Sequence, residues 1–304
     1  DYLVLEQNKT FGGVWLNASN HSRLQTHKDF YQFDDFPMPN YYDDFPTKKQ
    51  VMNYINSIIQ KHKILENTHF NYNVGKIHYN KEKSLWFIDN KFCSEFIGVC
   101  CGYLTKPDTR LIDKELKDYT GNIIHSKDFN NLDKNQIKNK NILIVGNGAS
   151  GCDILKNIEY EKINCNITMI YRSDKYFIDK YIFKIPISKF LNRFLLIFGK
   201  YSPLFVYRLI ITFVNYFYFN NYLDIPYSKM NSKNLVASNI ISKKINDCSL
   251  VYLKNSIKCA YKDNLILNNS IITNIDTIIL ATGYTETFNF FEQQPRKEKY
   301  LQIF

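Results

Sequence analysis

The stretch 140–153, Lys-Asn-Ile-Leu-Ile-Val-Gly-Asn-Gly-Ala-Ser-Gly-Cys-Asp, constrains this chain more than any other. Residues 142–145 form a short run of β-branched residues and leucine that reads as a fully buried strand. Gly146, Gly148 and Gly151 follow at the G-x-G-x-x-G spacing, and Ile154, Leu155 and Ile158 then fall on one face of a helix. The glycines therefore sit where a strand turns into a helix. In that context the first makes the turn, the second lets backbone approach a pyrophosphate, and the third lets helix pack on strand. N–H groups and the dipole at the helix start hold the anion. The competing reading is a tight turn without a ligand, which the strand-to-helix context disfavours.

With 304 residues, 45% of them hydrophobic and 16% aromatic, the chain can bury one large or two ordinary cores, which disfavours global disorder. A net charge of +10 would suit nucleic acid, a membrane surface or a phosphorylated cofactor. The basic residues form no stripe on an aromatic platform, so nucleic-acid binding is disfavoured. Seven cysteines show no C-x-x-C pair and no histidine spaced to complete a zinc site. They read as small buried residues of a reducing, cytoplasmic compartment, and no metal site is expected. No signal peptide is visible.

Residues 2–5 read as an apolar strand ending in Glu6, with Gly12, Gly13 and Trp15 shortly after it. An acid at such a strand end takes ribose hydroxyls in a dinucleotide fold; a solvated strand end is the plainer alternative. An aromatic, acidic loop spans 22–39. Thr47-x-x-Gln50 is a capping box, opening a helix whose face carries Val51, Tyr54, Ile55, Ile58, Ile59 and His62. The runs 70–74, 76–79, 85–88 and 96–101 predict a small meander ending in a buried strand. His62 and His69 have no partner at ligand spacing and read as core or surface histidines.

A Lys- and Asn-rich linker over 130–141 marks a domain boundary. Beyond the glycine helix, 167–171 is a second strand ending in Arg172 and Ser173, with Lys175 close by. A cation in place of the acid that NAD requires predicts a 2′-phosphate, hence NADP; a solvated surface arginine is the alternative. The basic, aromatic stretch 180–223 fits amphipathic helices on a membrane surface or a helical insertion packed on its own protein, and its longest uncharged run, 209–223, is too short and polar to span. Short strand-like runs fill 233–273, and 276–280 is a buried strand leading into Ala281, Thr282 and Gly283.

These pieces together resemble the flavin-containing monooxygenases, in which an NADP domain is inserted into an FAD domain. The resemblance rests on five stretches in the family's order. They are Glu6 with Gly12-Gly13-x-Trp15; Leu24-Gln25-Thr26 with Asp35-Phe36-Pro37-Met38-Pro39; Tyr119-x-Gly121-x-x-x-His125-Ser126-x-x-Phe129; Gly146-x-Gly148-x-Ser150-Gly151 with Arg172-Ser173; and Ala281-Thr282-Gly283-Tyr284. The third is the most specific. Tyr119 stands for the usual phenylalanine, and His27 stands where many members carry an asparagine near the flavin. The chain begins at what is the second strand of the family's FAD unit, and the family continues past the Ala-Thr-Gly strand, so the resemblance implies a fragment truncated at both ends.

The implied fold is α/β with two dinucleotide-binding (Rossmann-like) domains, the NADP domain inserted into an incomplete FAD domain. Residues 1–135 would be the FAD domain without its first glycine loop. Residues 136–275 would be the NADP domain, with a basic aromatic helical insertion at about 176–225, and 276–304 would return to the FAD domain. The implied cofactors are FAD and NADP, and the implied partners are a small amine or sulfide and O2. NADPH would reduce FAD, and a C4a-hydroperoxide of the flavin would pass one oxygen to a soft nitrogen or sulfur. Glu6, Gly12, Gly13 and Trp15 would serve FAD. Gly146, Gly148, Ser150 and Gly151 would take the NADP pyrophosphate, and Arg172 and Ser173 the 2′-phosphate. Thr26 and His27 would approach the flavin–nicotinamide region, with His27 the candidate catalytic residue, and Thr282 and Gly283 would lie at the return to the FAD domain. His125 would be a hydrogen-bonding residue at the domain junction. A Baeyer–Villiger enzyme is the alternative, disfavoured because Phe129-Asn130 stands where its signature ends in Trp-Pro or Trp-Asp. A fragment that binds NADP without turnover is the other.

Overall fold

The structure, a computed structural model, describes residues 2–102, 104, 106–177, 180–182, 184–186, 235–236, 238–285 and 288–292. Most of the basic aromatic stretch 180–223, and with it the expected helical insertion, lies outside these residues. So does most of the segment 286–304. The chain divides into two compact units, one formed by 1–16, 51–107 and 284–304, the other by 17–50 and 108–283.

The second unit is built on a five-stranded, all-parallel sheet: β1 (Asn122–His125), β2 (Asn141–Val145), β3 (Asn166–Tyr171), β4 (Val251–Lys254) and β5 (Thr277–Leu280), in the order β4-β3-β2-β5-β1. Parallel strands are buried on both faces, which is why β2 and β5 read as unbroken apolar runs. Period-two alternation splits them between two cores. Ile142, Ile144, Met169 and Ile279 face one side, packing with Ile154, Leu155 and Ile158 of α1 (Ala149–Tyr160) and Ile240 and Ile241 of α2 (Ile240–Asn246). Leu143, Ile170, Ile278 and Leu280 face the other, packing with Ile257, Ala260, Leu265 and Leu267. Those partners come from a three-stranded antiparallel sheet, Ile257–Tyr261, Asn264–Leu267 and Ile271–Ile272. Each fully buried residue such as Ile144 or Ile278 stabilises the unit by about 1.5–3 kcal/mol of transfer free energy.

Three expectations change here. The run 233–273 holds helix α2 as well as strands. Ile240, Ile241 and Ile245 share one helical face against the core, and this tertiary burial outweighs the strand preference of β-branched residues. Residues 122–125, to which the sequence pattern assigns no element, are the edge strand β1. The segment 130–141, expected to be a linker between domains, lies inside this unit, because Phe129 and Ile137 are fully buried in its core. The boundaries fall at 16/17, 50/51, 107/108 and 283/284: residues 17–50, expected in the FAD domain, group with the glycine-motif unit, and the last two boundaries enclose β1 and β5, which pair directly in its sheet.

In the first unit, Val4–Leu5 pairs in parallel with Thr68–His69. Ile77–Asn80, Leu85–Ile88 and Phe92–Ser94 form an antiparallel meander, and Lys106–Pro107 pairs with Tyr284–Thr285. The left-handed residues Ser84, Asp89 and Asn90 make its turns. The expected buried strand at 96–101 is absent: these residues form no strand and are mostly exposed. The third strand comes earlier, at Phe92–Ser94, because the Asp89-Asn90 turn sets a tight hairpin. Residues 70–74 likewise form no strand.

The helix Lys48–Lys61 begins at the expected capping box: the Thr47 N–H donates to Gln50 Oε1 at 2.9 Å and the Gln50 N–H to Thr47 Oγ1 at 3.3 Å. Val51, Tyr54 and Ile59 are buried, while His62 lies past the helix end and is exposed. Thr47→Ala removes the reciprocal bond and is expected to lower stability by about 1 kcal/mol, measured as a shift of the urea midpoint at unchanged slope.

Candidate functional site

The carboxyl ends of β1, β2, β3 and β5 converge, since Val145 stands opposite Ile170 and Leu280, and Leu280 opposite His125. In open parallel sheets ligands bind outside these ends. The chain leaves β2 through Gly146, whose φ of +113° excludes other side chains, and a Cβ there would collide with the Ala281 carbonyl oxygen leaving β5. A Cβ on Gly151 would collide with the carbonyl oxygen of Gly146, so the third glycine seats α1 against the turn. Gly148 differs: it is the N-cap of α1 with an ordinary φ of −77°, and a Cβ there would meet nothing within 4 Å. Two glycines are explained by packing and the middle one by open space beside the N–H groups of a helix start. This is the form of an anion cradle. Ser150, in the first turn of α1, is half-buried.

At the end of β3, Arg172 and Ser173 are both exposed. Arg172 helps to line a pocket of about 270 Å³ with Tyr171, Lys254, Asn255, Ser256, Asn268 and Asn269. Lys254, at the end of β4, is the second cation of this pocket, and its Nζ donates to Asp174 Oδ2 at 2.6 Å. Sequence reasoning missed Lys254 as a site residue, although a cation closing the strand-like run 250–253 is the same signal that singles out Arg172. Arginine and lysine surrounded by amides and a serine hydroxyl make a donor set for a phosphate dianion.

Around β5, the Thr282 hydroxyl donates to the Asp108 carbonyl at 2.6 Å and the Asp108 N–H donates to the Gly283 carbonyl at 3.0 Å. Arg110 beside Asp108 holds its carboxyl below the usual range, with Arg172 contributing at longer range. His125 is buried; its Nδ1 accepts from the Lys127 N–H at 3.2 Å and its Nε2 therefore donates to the Gly283 carbonyl at 3.0 Å. The Tyr119 hydroxyl donates to the Ile275 carbonyl at 2.9 Å. The motif 119–129 thus ties the start and end of β1 to the two ends of β5.

Burial pushes the His125 pKa below its ordinary 6.5. As pH falls, the unfolded chain takes up this proton before the folded one, so stability present above about pH 6.5 is lost below it. His125→Gln is expected to flatten that part of the profile of melting temperature against pH. Parallel profiles would assign the loss to other groups.

His27 is buried, with Nδ1 accepting from the Asp29 N–H at 3.2 Å and Nε2 3.2 Å from Asp44 Oδ1. Next to it the buried Lys28 ammonium donates to the carbonyls of Pro39, Asn40 and Tyr42, at 3.3, 3.0 and 2.8 Å, closing the loop on itself. Thr26 is exposed. The candidate catalytic histidine therefore has both ring nitrogens committed to its own loop.

In the first unit, Gly12 (φ +136°) and Gly13 (φ +51°) form the turn into the short helix Val14–Asn17, which carries the half-buried Trp15. Glu6 Oε1 accepts from the Asn8 N–H at 2.8 Å and from its side-chain amide at 2.7 Å, and Oε2 carries no hydrogen bond among the described residues. One carboxylate oxygen thus remains for a hydroxyl donor. Among the described residues no group of three or more His, Cys, Asp or Glu is placed to hold a metal ion, and no helix is long and apolar enough to cross a membrane.

A family model described as flavin-binding monooxygenase-like matches residues 17–304. The chain belongs to this family. Among relatives of this flavin-binding monooxygenase-like chain, the probable indole-3-pyruvate monooxygenase YUCCA7 of Arabidopsis thaliana is 26% identical over 166 residues, covering 50% of this chain and 37% of that protein. Flavin-containing monooxygenase 1 of Oryctolagus cuniculus is 22% identical, covering 95% of this chain and 58% of that protein. The chain thus spans less than two thirds of the length of these relatives. The OTEMO crystal structure in complex with FAD and NADP superposes with a TM-score of 0.66 at 17% identity, over 94% of this chain and 67% of that one. That likeness shows a shared fold.

Proposed function

We propose that this chain is the nucleotide-handling part of an NADPH- and FAD-dependent monooxygenase that transfers one oxygen atom of O2 to a soft nitrogen or sulfur. The observation that carries this reading is the open glycine cradle at Gly148 joined, in one unit, to the two-cation pocket of Arg172 and Lys254. It is supported by family membership and by the relatives' names. Net, a sulfide, O2, NADPH and a proton would give a sulfoxide, NADP+ and water. Bound FAD and NADPH supply the electrons and the place where O2 reacts, so the chemistry needs no catalytic carboxylate pair.

The chain's own residues bind and orient. The N–H groups around Gly148, Ser150 and Gly151 hold the NADP pyrophosphate, and Gly146 sets the turn that aims them. Arg172, Ser173 and Lys254 would hold the 2′-phosphate, the Arg172 guanidinium supplying charge-assisted donors. Glu6 takes a ribose hydroxyl of FAD through its unbonded oxygen, and Gly12, Gly13 and Trp15 line the flavin side. Thr282 and Gly283, pinned by Asp108 and His125, fix the end of β5 at the cradle. His27 acts as a positioning residue for Thr26 rather than as an acid or base, because both its nitrogens are spent.

The test uses the 304-residue chain with FAD, NADPH and ¹⁸O-labelled O2, offered methyl p-tolyl sulfide, N,N-dimethylaniline and cyclohexanone in parallel. One labelled oxygen in the sulfoxide or N-oxide supports the reading. Labelled lactone alone would favour Baeyer–Villiger chemistry, and NADPH binding without any labelled product would leave a binding module.

A further inference from the structure

Asn147 lies between the first two glycines of the motif, where the cradle itself needs only backbone. Yet its side chain is 5% exposed and both amide hydrogens have a fixed acceptor. Nδ2 donates to the Ser173 carbonyl at 3.2 Å and to the Tyr252 hydroxyl at 2.8 Å. Three strand exits meet in this one amide. Ser173 belongs to the turn after β3 that carries Arg172, and Tyr252 lies in β4 two residues before Lys254. The Tyr252 ring also stacks on Tyr171, with centroids 4.3 Å apart and planes 20° from parallel. Backbone pairing places Lys254 opposite Tyr171, and the Asn255 N–H donates to the Tyr171 carbonyl at 3.0 Å.

Arg172 and Lys254 are both exposed, and the Asp174 partner of Lys254 belongs to the same turn as Arg172, so the placement of that turn and of the β4 end decides where the charges sit. A flexible cationic turn must be ordered each time a phosphate binds, which weakens binding; a turn held beforehand avoids that loss. We propose that Asn147 is a positioning residue for dinucleotide selectivity: its amide ties the Arg172-Ser173 turn and the Lys254 strand to the glycine cradle, so that pyrophosphate and 2′-phosphate are met at a fixed separation. This rests on the NADP reading above and extends it to a side chain outside the phosphate contacts. The protonated Tyr252 hydroxyl is favoured by burial, which keeps this end of the brace neutral.

The test is equilibrium titration of the full chain with NADP+ and NAD+, by quenching of intrinsic fluorescence, for wild type, Asn147→Leu and Tyr252→Phe. Asn147→Leu keeps the branched outline and the number of heavy atoms, with somewhat more bulk, and removes both bonds. It is expected to weaken NADP+ by about fivefold or more, the worth of a lost neutral hydrogen bond or two, while NAD+ binding stays within about twofold. Tyr252→Phe keeps the ring stack, removes one of the two holds and is expected to show a smaller loss of the same kind. It also carries the test if the leucine variant fails to fold. Equal weakening of both nucleotides, or no change in either variant, overturns the brace. A wild-type chain that does not prefer NADP+ overturns the NADP reading itself and this inference with it, so the two failures are read from different proteins.

Discussion

Gly146→Ala is expected to destabilise the chain by about 3 kcal/mol or more, the sum of overpacking against a fixed backbone and a φ that alanine resists. The new methyl would run into the Ala281 carbonyl oxygen, which is backbone at the end of a fully buried strand and cannot swing aside. At +113° the residue also occupies backbone space open almost only to glycine. Gly148→Ala is the control with the opposite signature. Its methyl meets nothing within 4 Å and its φ is ordinary, so stability should change by a few tenths to about 1 kcal/mol, while on the proposed reading NADP+ binding is lost because the methyl would fill the open space assigned to the pyrophosphate. Denaturant midpoints and nucleotide titrations on the two variants separate the roles. A destabilised Gly148→Ala, or a stable Gly146→Ala, would mean that the turn is built differently.

The second large effect concerns the 2′-phosphate. Arg172→Ala is expected to weaken NADPH by about ten- to a hundredfold, the worth of a charge-assisted hydrogen bond, and to leave NADH nearly unaffected. Lys254→Ala should act in the same direction more weakly, since its ammonium is already shared with Asp174. The double variant should bind the two nucleotides about equally, and added salt should reduce the wild-type preference because both cations are exposed. A double variant that still prefers NADPH would move the phosphate to another pair of cations.

The glycine cradle was legible because every piece of it is local: an apolar strand, three glycines and an amphipathic helix adjoin in sequence, and the structure places them as β2, turn and α1. The capping box at Thr47 was legible for the same reason. What was missed depends on pairing at a distance. Strand β1 is four residues with polar ends, and only its register with β5 reveals it. Helix α2 is seven residues rich in isoleucine, a strand-like composition that burial against α1 overrides. At the site, Arg172 could be found because it follows the strand next to the glycines in sequence, whereas Lys254 and Tyr252 join it only through the β4–β3 pairing. Asn147 was in plain sight inside the motif. Its role depends on Ser173 and Tyr252, which are 26 and 105 residues away. The division into two units was expected but not its edges, since a Lys- and Asn-rich composition masked the buried anchors Phe129 and Ile137.

The measurement that tests the central claim most directly is the visible spectrum of the 304-residue chain after incubation with FAD and gel filtration, followed under air by NADPH or by NADH. Retained flavin absorbance that bleaches with NADPH and far less with NADH is the predicted result. A protein peak without flavin absorbance, or a flavin that both nucleotides reduce alike, would contradict it.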